Sequence, residues 1–354
     1  MRRTGAAVVA ALAALAAMAI VLALLGHPPA RTMAILFQGA AGSSFAISES
    51  LLKSIPLLFT ALAVVVAFRA GVWNIGGEGQ FIVGGIAALA VGGMIEGGAV
   101  ASILSLMAGI AGGAAWAWIA VLLRNLRQAP EVLTTILLNF VAVHLMGWLI
   151  NGPLQEEGRR YPQSDPLPPE SLLPAAGSTR LHLGIVLAIG AAIAVHLFLF
   201  HSAAGLRLRA TGLNVLAARW SGVRTRAEIT RAMLLSGALA GCGGAVELLG
   251  VTGRLYERFA SGAGFGGIAV ALLAQLHPLG AIPTAVFFGA LSTGAGALQR
   301  SAGVSAALAT LGQGIAVLVL LTLASRMKKE AGGGTAIFFR RLFRRTLRDS
   351  ESAS

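Results

Sequence analysis

The sequence predicts an all-α polytopic membrane protein of about ten transmembrane helices. Three observations carry this. Of the 354 residues, 56% are hydrophobic and only 12% are charged, where a soluble domain carries about 25% charged residues. Mean hydropathy is +0.80. The apolar residues also fall in runs that are apolar on every side, not in the alternation a β-barrel strand requires. Together these exclude a disordered chain, a collagen and a soluble enzyme with a solvated surface.

The runs fall at about 6–25, 51–68, 75–94, 99–123, 132–150, 183–200, 232–250, 264–276, 279–298 and 306–324. The first follows Met1-Arg2-Arg3. It is longer than the apolar core of a signal peptide and lacks a clear cleavage site, so a retained helix is expected. The eighth is too short to cross a 30 Å core comfortably and reads as a half-helix packed inside the protein.

The chain carries 27 basic against 14 acidic residues, a net charge of +13. The basic residues cluster between and after the apolar runs, so they read as topology signals and not as a nucleic-acid surface. Arg124 and Arg127, the segment 201–231 and the tail 327–354 are expected in the cytoplasm, with both termini. The acidic, Pro-rich segment 151–180 is expected outside. The transmembrane domain is then 1–326. The tail pairs apolar with basic residues at helical spacing, which suits an amphipathic helix on the inner leaflet. Cys242 is the single cysteine, so no internal disulfide is available.

A faint repeat joins the third and eighth runs, Gly84-Gly85-Ile86-Ala87-Ala88 against Gly266-Gly267-Ile268-Ala269-Val270. Its offset suggests two five-helix halves of opposite direction, an inverted repeat. The motif Gly-x-x-x-x-Gly-Lys-Ser/Thr does not occur, since no lysine follows a glycine. The chain therefore has no Walker A cradle of its own. Neither His-Glu-x-x-His nor Cys-x-x-Cys occurs, and no cofactor is expected on this chain.

Three segments carry polar residues where apolar sequence should continue. The first, Arg69 to Gln80, sets Trp73, Asn74, Glu78 and Gln80 among four glycines. A charge at mid-membrane costs about 2.5–3.5 kcal/mol even on the lenient insertion scale. These side chains either line a solute path or belong to a hairpin with Glu78 at a helix N-terminus. The second, Pro130 to Phe140, opens a helix with Glu131 and places Asn139 two turns in, facing a path or bonding to a neighbouring helix. The third, Gly205 to Val223, is basic. Asn214 can N-cap a short helix and Gly222 can end it. Ala217 and Ala218 give that helix a slim face, and Trp220 an anchor. Such a helix suits a groove on a soluble partner, or else a loop lying on anionic headgroups. Glu247, near the end of the seventh run, lines a vestibule or sits at the interface. Gly109-x-x-x-Gly113 and Gly237-x-x-x-Gly241 are small-residue packing motifs.

These residues resemble the permease subunits of bacterial ABC importers in the ribose/branched-chain amino acid permease group, nucleoside or simple-sugar type. The resemblance lies in Asn74-Ile75-Gly76-Gly77-Glu78-Gly79-Gln80, with Gly77 where Ala is usual. It continues in Glu131-Val132-x-x-Thr135-Ile136-x-Leu138-Asn139 and in Arg209-Ala210-x-Gly212-x-Asn214-x-x-Ala217-Ala218-Arg219-x-x-Gly222-Val223. Ser236 to Gly241 and Gly264 to Leu273 match as well. It runs from about residue 50 to 325, in order. Pro130 departs from a usual Asn, and Val215-Leu216 from a usual Pro-Glu.

The resemblance implies a non-catalytic subunit of the inner membrane. Two permeases, identical or paralogous, would form the path. Two ATPases would bind the helix around Asn214, Ala217, Ala218, Arg219 and Gly222. An extracytoplasmic binding protein would deliver the solute. The path residues would be Trp73, Asn74, Glu78, Gln80, Asn139 and Glu247. A nucleoside is the expected solute, with monosaccharides and riboflavin-like compounds as alternatives. A proton-coupled secondary transporter using Glu78 or Glu247 is the competing reading. A membrane enzyme lacks any catalytic pair to support it.

Overall fold

Every regular element among the described residues is helical, and the long helices lie in or beside the apolar runs. The computed structural model describes residues 28–175 and 179–302, with isolated positions 16, 19, 20, 23, 24, 314 and 318. The expected first and tenth spans and the basic tail lie outside the described residues. The helices are α1 (Pro29–Ala41), α2 (Ser44–Arg69), α3 (Gly77–Gly92), α4 (Gly98–Arg127) and α5 (Glu131–Ile150). They continue as α6 (Gly184–His201), α7 (Ala203–Leu213), α8 (Val215–Trp220), α9 (Thr225–Glu247), α10 (Ala263–Leu273) and α11 (Pro278–Ala302).

Six of them, α2, α4, α5, α6, α9 with its π-turn extension Leu248–Thr252, and α11, are long and apolar enough to cross a membrane. The third expected span is shorter than its apolar run. Residues 74–76 are non-helical, and α3 has 16 residues, about 24 Å. The eighth has 11 residues, about 17 Å. It stops there because Gln275 and Leu276 both take positive φ, 55° and 56°, which no α-helix continues through. Helix α1 lies outside the apolar runs. Arg31, Thr32 and Gln38 interrupt its apolar pattern.

Residues 37–294 form one compact unit. The described parts of the second unit, 1–36 with 295–354, are mainly the beginning of α1 and the end of α11. Within 37–294, α2 is buried around most of its circumference, as suits a helix that is apolar all round. Its Ser43 N-cap accepts the Ala46 N–H at 3.1 Å. Helix α9 packs against α2, α3 and α4. The seam between α4 and α9 is the meeting of the two Gly-x-x-x-Gly motifs. A Cβ on Gly113 would strike the Gly237 carbonyl oxygen, and one on Gly241 the Gly109 carbonyl oxygen. Backbones approach this closely only where side chains are absent.

The outer helices invert the pattern of a soluble protein. On α6 the buried stripe is Gly184, Ala188, Ala192, Val195 and Leu199, while Val186, Ile189, Ile193 and Leu197 are exposed. Glycine and alanine make up the first part of the stripe that faces the bundle, and large aliphatic residues stand on the outward face, an arrangement that lipid permits. The Pro-rich segment after α5 is a folded cap. Ser164 and Leu167 donate to the Leu255 and Gly253 carbonyls, and Leu173 to that of Leu249. Leu167 and Leu173 are buried beneath it.

Candidate functional site

The break between α2 and α3 is held open by side chains. Helix α2 ends at Arg69, and Gly71 turns the chain with φ +76°. The Asn74 amide then pairs with that of Gln80. Asn74 Nδ2 donates to Gln80 Oε1 at 2.9 Å, and Gln80 Nε2 donates to Asn74 Oδ1 at 3.1 Å. Asn74 Oδ1 also accepts the Gly76 N–H at 2.9 Å, and Nδ2 donates to Ser236 Oγ on α9 at 2.8 Å. Ser236 donates in turn to the Ala63 carbonyl at 2.7 Å. Asn139 on α5 spans the break from the other side. Its Oδ1 accepts the Gly79 N–H at 2.8 Å, and its Nδ2 donates to the Ile75 carbonyl at 2.9 Å. Thr135 Oγ1 accepts the Ile75 N–H at 3.3 Å. Asn74 and Gln80 are each 1% exposed: the Asn74 amide serves the Gly76 N–H in backbone that has left helical hydrogen bonding, and the Gln80 amide holds Asn74 in place.

Glu78 joins two helices. It lies in the first turn of α3, and its carboxylate accepts the Gly262 N–H at 2.9 Å and the Gly264 N–H at 2.7 Å. Those donors open α10. The carboxyl group, 7% exposed, therefore sits at the positive ends of two short helices, which favour its negative form. Only glycine fits at 264, where a Cβ would land on the Glu78 backbone nitrogen. Trp73 lies beside the break with its ring 4.4 Å from that of Phe68. Trp116 Nε1 is buried without an acceptor among the described residues, and a Cβ on Gly79 would sit 3.0 Å from it.

Asn74, Glu78, Gln80 and Asn139 thus meet at one junction. Glu247 does not join them. It ends α9, about three turns beyond Ser236. Thr135, Ser236, Gly262 and Gly264 belong to the junction and were not singled out from sequence as site residues. The glycines act through backbone N–H groups, which leave no side-chain signal. Thr135, Ser236 and Gly264 lie inside the segments that carry the family resemblance.

The basic segment forms a second candidate site. Helix α8 has six residues. Asn214 Oδ1 caps it, accepting from Leu216 at 3.1 Å and Ala217 at 3.3 Å. Gly222 follows with φ +83°. The slim face divides: Ala218 is 4% exposed and packs inward, while Ala217 and Arg219 face out. The outward apolar residues are Leu213, Val215, Leu216 and Trp220, the last 90% exposed. Two ion pairs fix the approach to this helix. Arg207 on α7 and Arg231 on α9 both reach the buried Glu228, at 3.2 and 2.9 Å.

The family model for the branched-chain amino acid transport system / permease component matches residues 46–324. The chain is similar to a guanosine ABC transporter permease protein of Bacillus subtilis, 33% identical over 87% of this chain and 89% of that one. It is similar to a glucose ABC transporter permease protein of Haloferax volcanii, 33% identical over 90% of this chain and 87% of that one. A nucleoside ABC transporter permease protein of Lactococcus lactis is 31% identical over 78% of this chain and 79% of its own length. No solved structure matches. The chain is a multi-pass membrane protein and a transport subunit, not an enzyme, and it belongs to the branched-chain amino acid transport system / permease component family of ABC transporters.

Proposed function

We propose that this permease carries a neutral, polar, ring-bearing solute, a nucleoside first and a monosaccharide or riboflavin-like compound next. The observation that carries the reading is Glu78. Paired helix N-termini inside a membrane protein attract an anionic ligand. Here the chain's own carboxylate already accepts their N–H groups, and it repels a second anion. Neutral solutes remain, and the nucleoside and glucose permeases among the relatives are of that kind.

The path runs beside the α2–α3 break, between this chain and a second permease, identical or paralogous. Two ATPases dock on α8 from the cytoplasm. A solute-binding protein docks on the opposite, outer face, which carries the 151–180 cap. Ten spans in two inverted halves remain the architecture we favour. The support is that α3 and α10, the helices bearing the internal repeat, are both short and meet at their N-termini.

The test is uptake of labelled guanosine, uridine, glucose and ribose by cells with and without the chain. Loss of one class on deletion, with competition by neutral analogues and none by nucleotides or sugar phosphates, is expected. Competition by the phosphorylated forms would overturn the reading of Glu78.

A further inference from the structure

Two glycines place the α8 segment directly on the junction. Gly212, in the last turn of α7, precedes the Asn214 cap of α8. Gly71 lies in the turn that leads from α2 to Asn74. A Cβ built on Gly71 would lie 3.0 Å from Gly212 Cα, and one on Gly212 would land on the Arg69 carbonyl oxygen and 2.8 Å from Gly71 N. No side chain cushions this contact. Gly212 is not in a positive-φ conformation, so close approach alone requires glycine there.

Helix α7 is pinned along its length. Near its start, a Cβ on Gly205 would strike the Phe198 carbonyl oxygen of α6. Arg209 Nε donates to the Leu199 carbonyl at 2.8 Å, with its guanidinium 4.9 Å from the Phe200 ring centre. Arg207 holds Glu228 on α9. Beyond Gly71, the chain passes to Asn74 and Gln80, then to Glu78, which holds α10. On the α2 side, Arg69 Nε donates to the Leu276 carbonyl beyond α10 at 2.9 Å. Every link from α8 to α10 is therefore a backbone contact or a hydrogen bond.

We propose that Gly212 is a positioning residue that couples movement of α8 to the α3–α10 junction, the backbone contact with residues 69–71 being the joint. The inference rests on the permease reading above. Close-packed contacts shift as units and do not compress. A push on α8 thus moves α7 against the 69–71 turn, and the amide-clamped segment 74–80 follows. A single added methyl at Gly212 lifts α7 off the turn and breaks the link, while α8 keeps its cap and its outward face.

The test uses the complete transporter, with its second permease, ATPases and binding protein, reconstituted in liposomes. ATP hydrolysis and uptake of labelled guanosine and labelled glucose are measured together for the unmodified chain, Gly212→Ala, and Gly190→Ala as a control in open space. The expected result for Gly212→Ala is an assembled complex with basal hydrolysis within about twofold and uptake per ATP at least tenfold lower. Gly190→Ala keeps the ratio. An assembled Gly212→Ala transporter with an unchanged ratio would overturn the inference.

If that variant does not assemble, hydrogen exchange on the unmodified complex decides. Trapping the ATPases with ADP and vanadate should change protection at 215–220 and 69–80 together. A change confined to 215–220 overturns the inference. Failure of the solute reading looks different: the unmodified transporter would then take up neither solute on ATP, and the hydrogen-exchange comparison, which needs no solute, decides the coupling.

Discussion

Glu78 and Gly264 are 186 positions apart in the chain, yet the carboxylate of one accepts the backbone N–H of the other at 2.7 Å. The bond joins the N-termini of α3 and α10, whose dipoles would otherwise repel. Glu78→Ala removes the charge and leaves two glycine N–H groups without their acceptor. We expect uptake to be abolished while the protein stays in the membrane. Transport and membrane abundance measured on the same cells check this. Normal uptake would contradict the role given to the junction.

Asn139 serves the same break from α5. Asn139→Leu strips the Gly79 N–H and the Ile75 carbonyl of their partners, at about 1–3 kcal/mol each. A fall in the melting temperature of the purified protein is expected. An unchanged melting temperature would mean that water or another side chain satisfies the broken segment.

The outward face of α8 carries Trp220 and Leu216, and Ala218 is turned inward. An exposed Trp four residues after an exposed Leu on one short helix has the form of an interface anchor. Trp220→Ala should reduce ATPase recovery with the purified permease on the order of tenfold. Replacing Ala217 with a bulky residue should do likewise. Intact complexes in both cases would point to a different docking surface.

His182 lies ahead of α6, outside the spanning helices. Its Nδ1 accepts the Gly184 N–H at 3.0 Å, and burial lowers its pKa from 6.5 to about 4. The unfolded chain therefore binds the proton more readily than the folded one. Stability is intact above pH 6.5 and falls as the pH drops toward 4. Melting temperatures between pH 7.5 and 5 should fall more steeply for the unmodified protein than for His182→Gln. Parallel curves would contradict this.

Much of the helical plan is legible in the sequence, because an apolar run has few alternatives in lipid. The cap at Asn214 is legible too, since Asn before a short run followed by Gly has a local mechanism. The roles within the junction are less so. From sequence, Asn74 and Gln80 suit a solute path as well as a hairpin. The structure shows their amides bonded to each other, and that pairing depends on where the chain breaks. Glu78 reads locally as a residue favoured at a helix N-terminus. Its second helix comes from glycines remote in sequence, whose donors carry no residue code. The two Gly-x-x-x-Gly motifs, common by chance in a chain with 46 glycines, gain meaning only because α4 and α9 bring them face to face.

The measurement that tests the account most directly is uptake by the reconstituted transporter under two separate conditions. In one, ATP is withdrawn; in the other, a proton uncoupler is added at constant ATP. Uptake is expected to stop without ATP and to survive the uncoupler. Uptake that persists without ATP and collapses with the uncoupler would contradict it, and would make this chain a proton-coupled carrier.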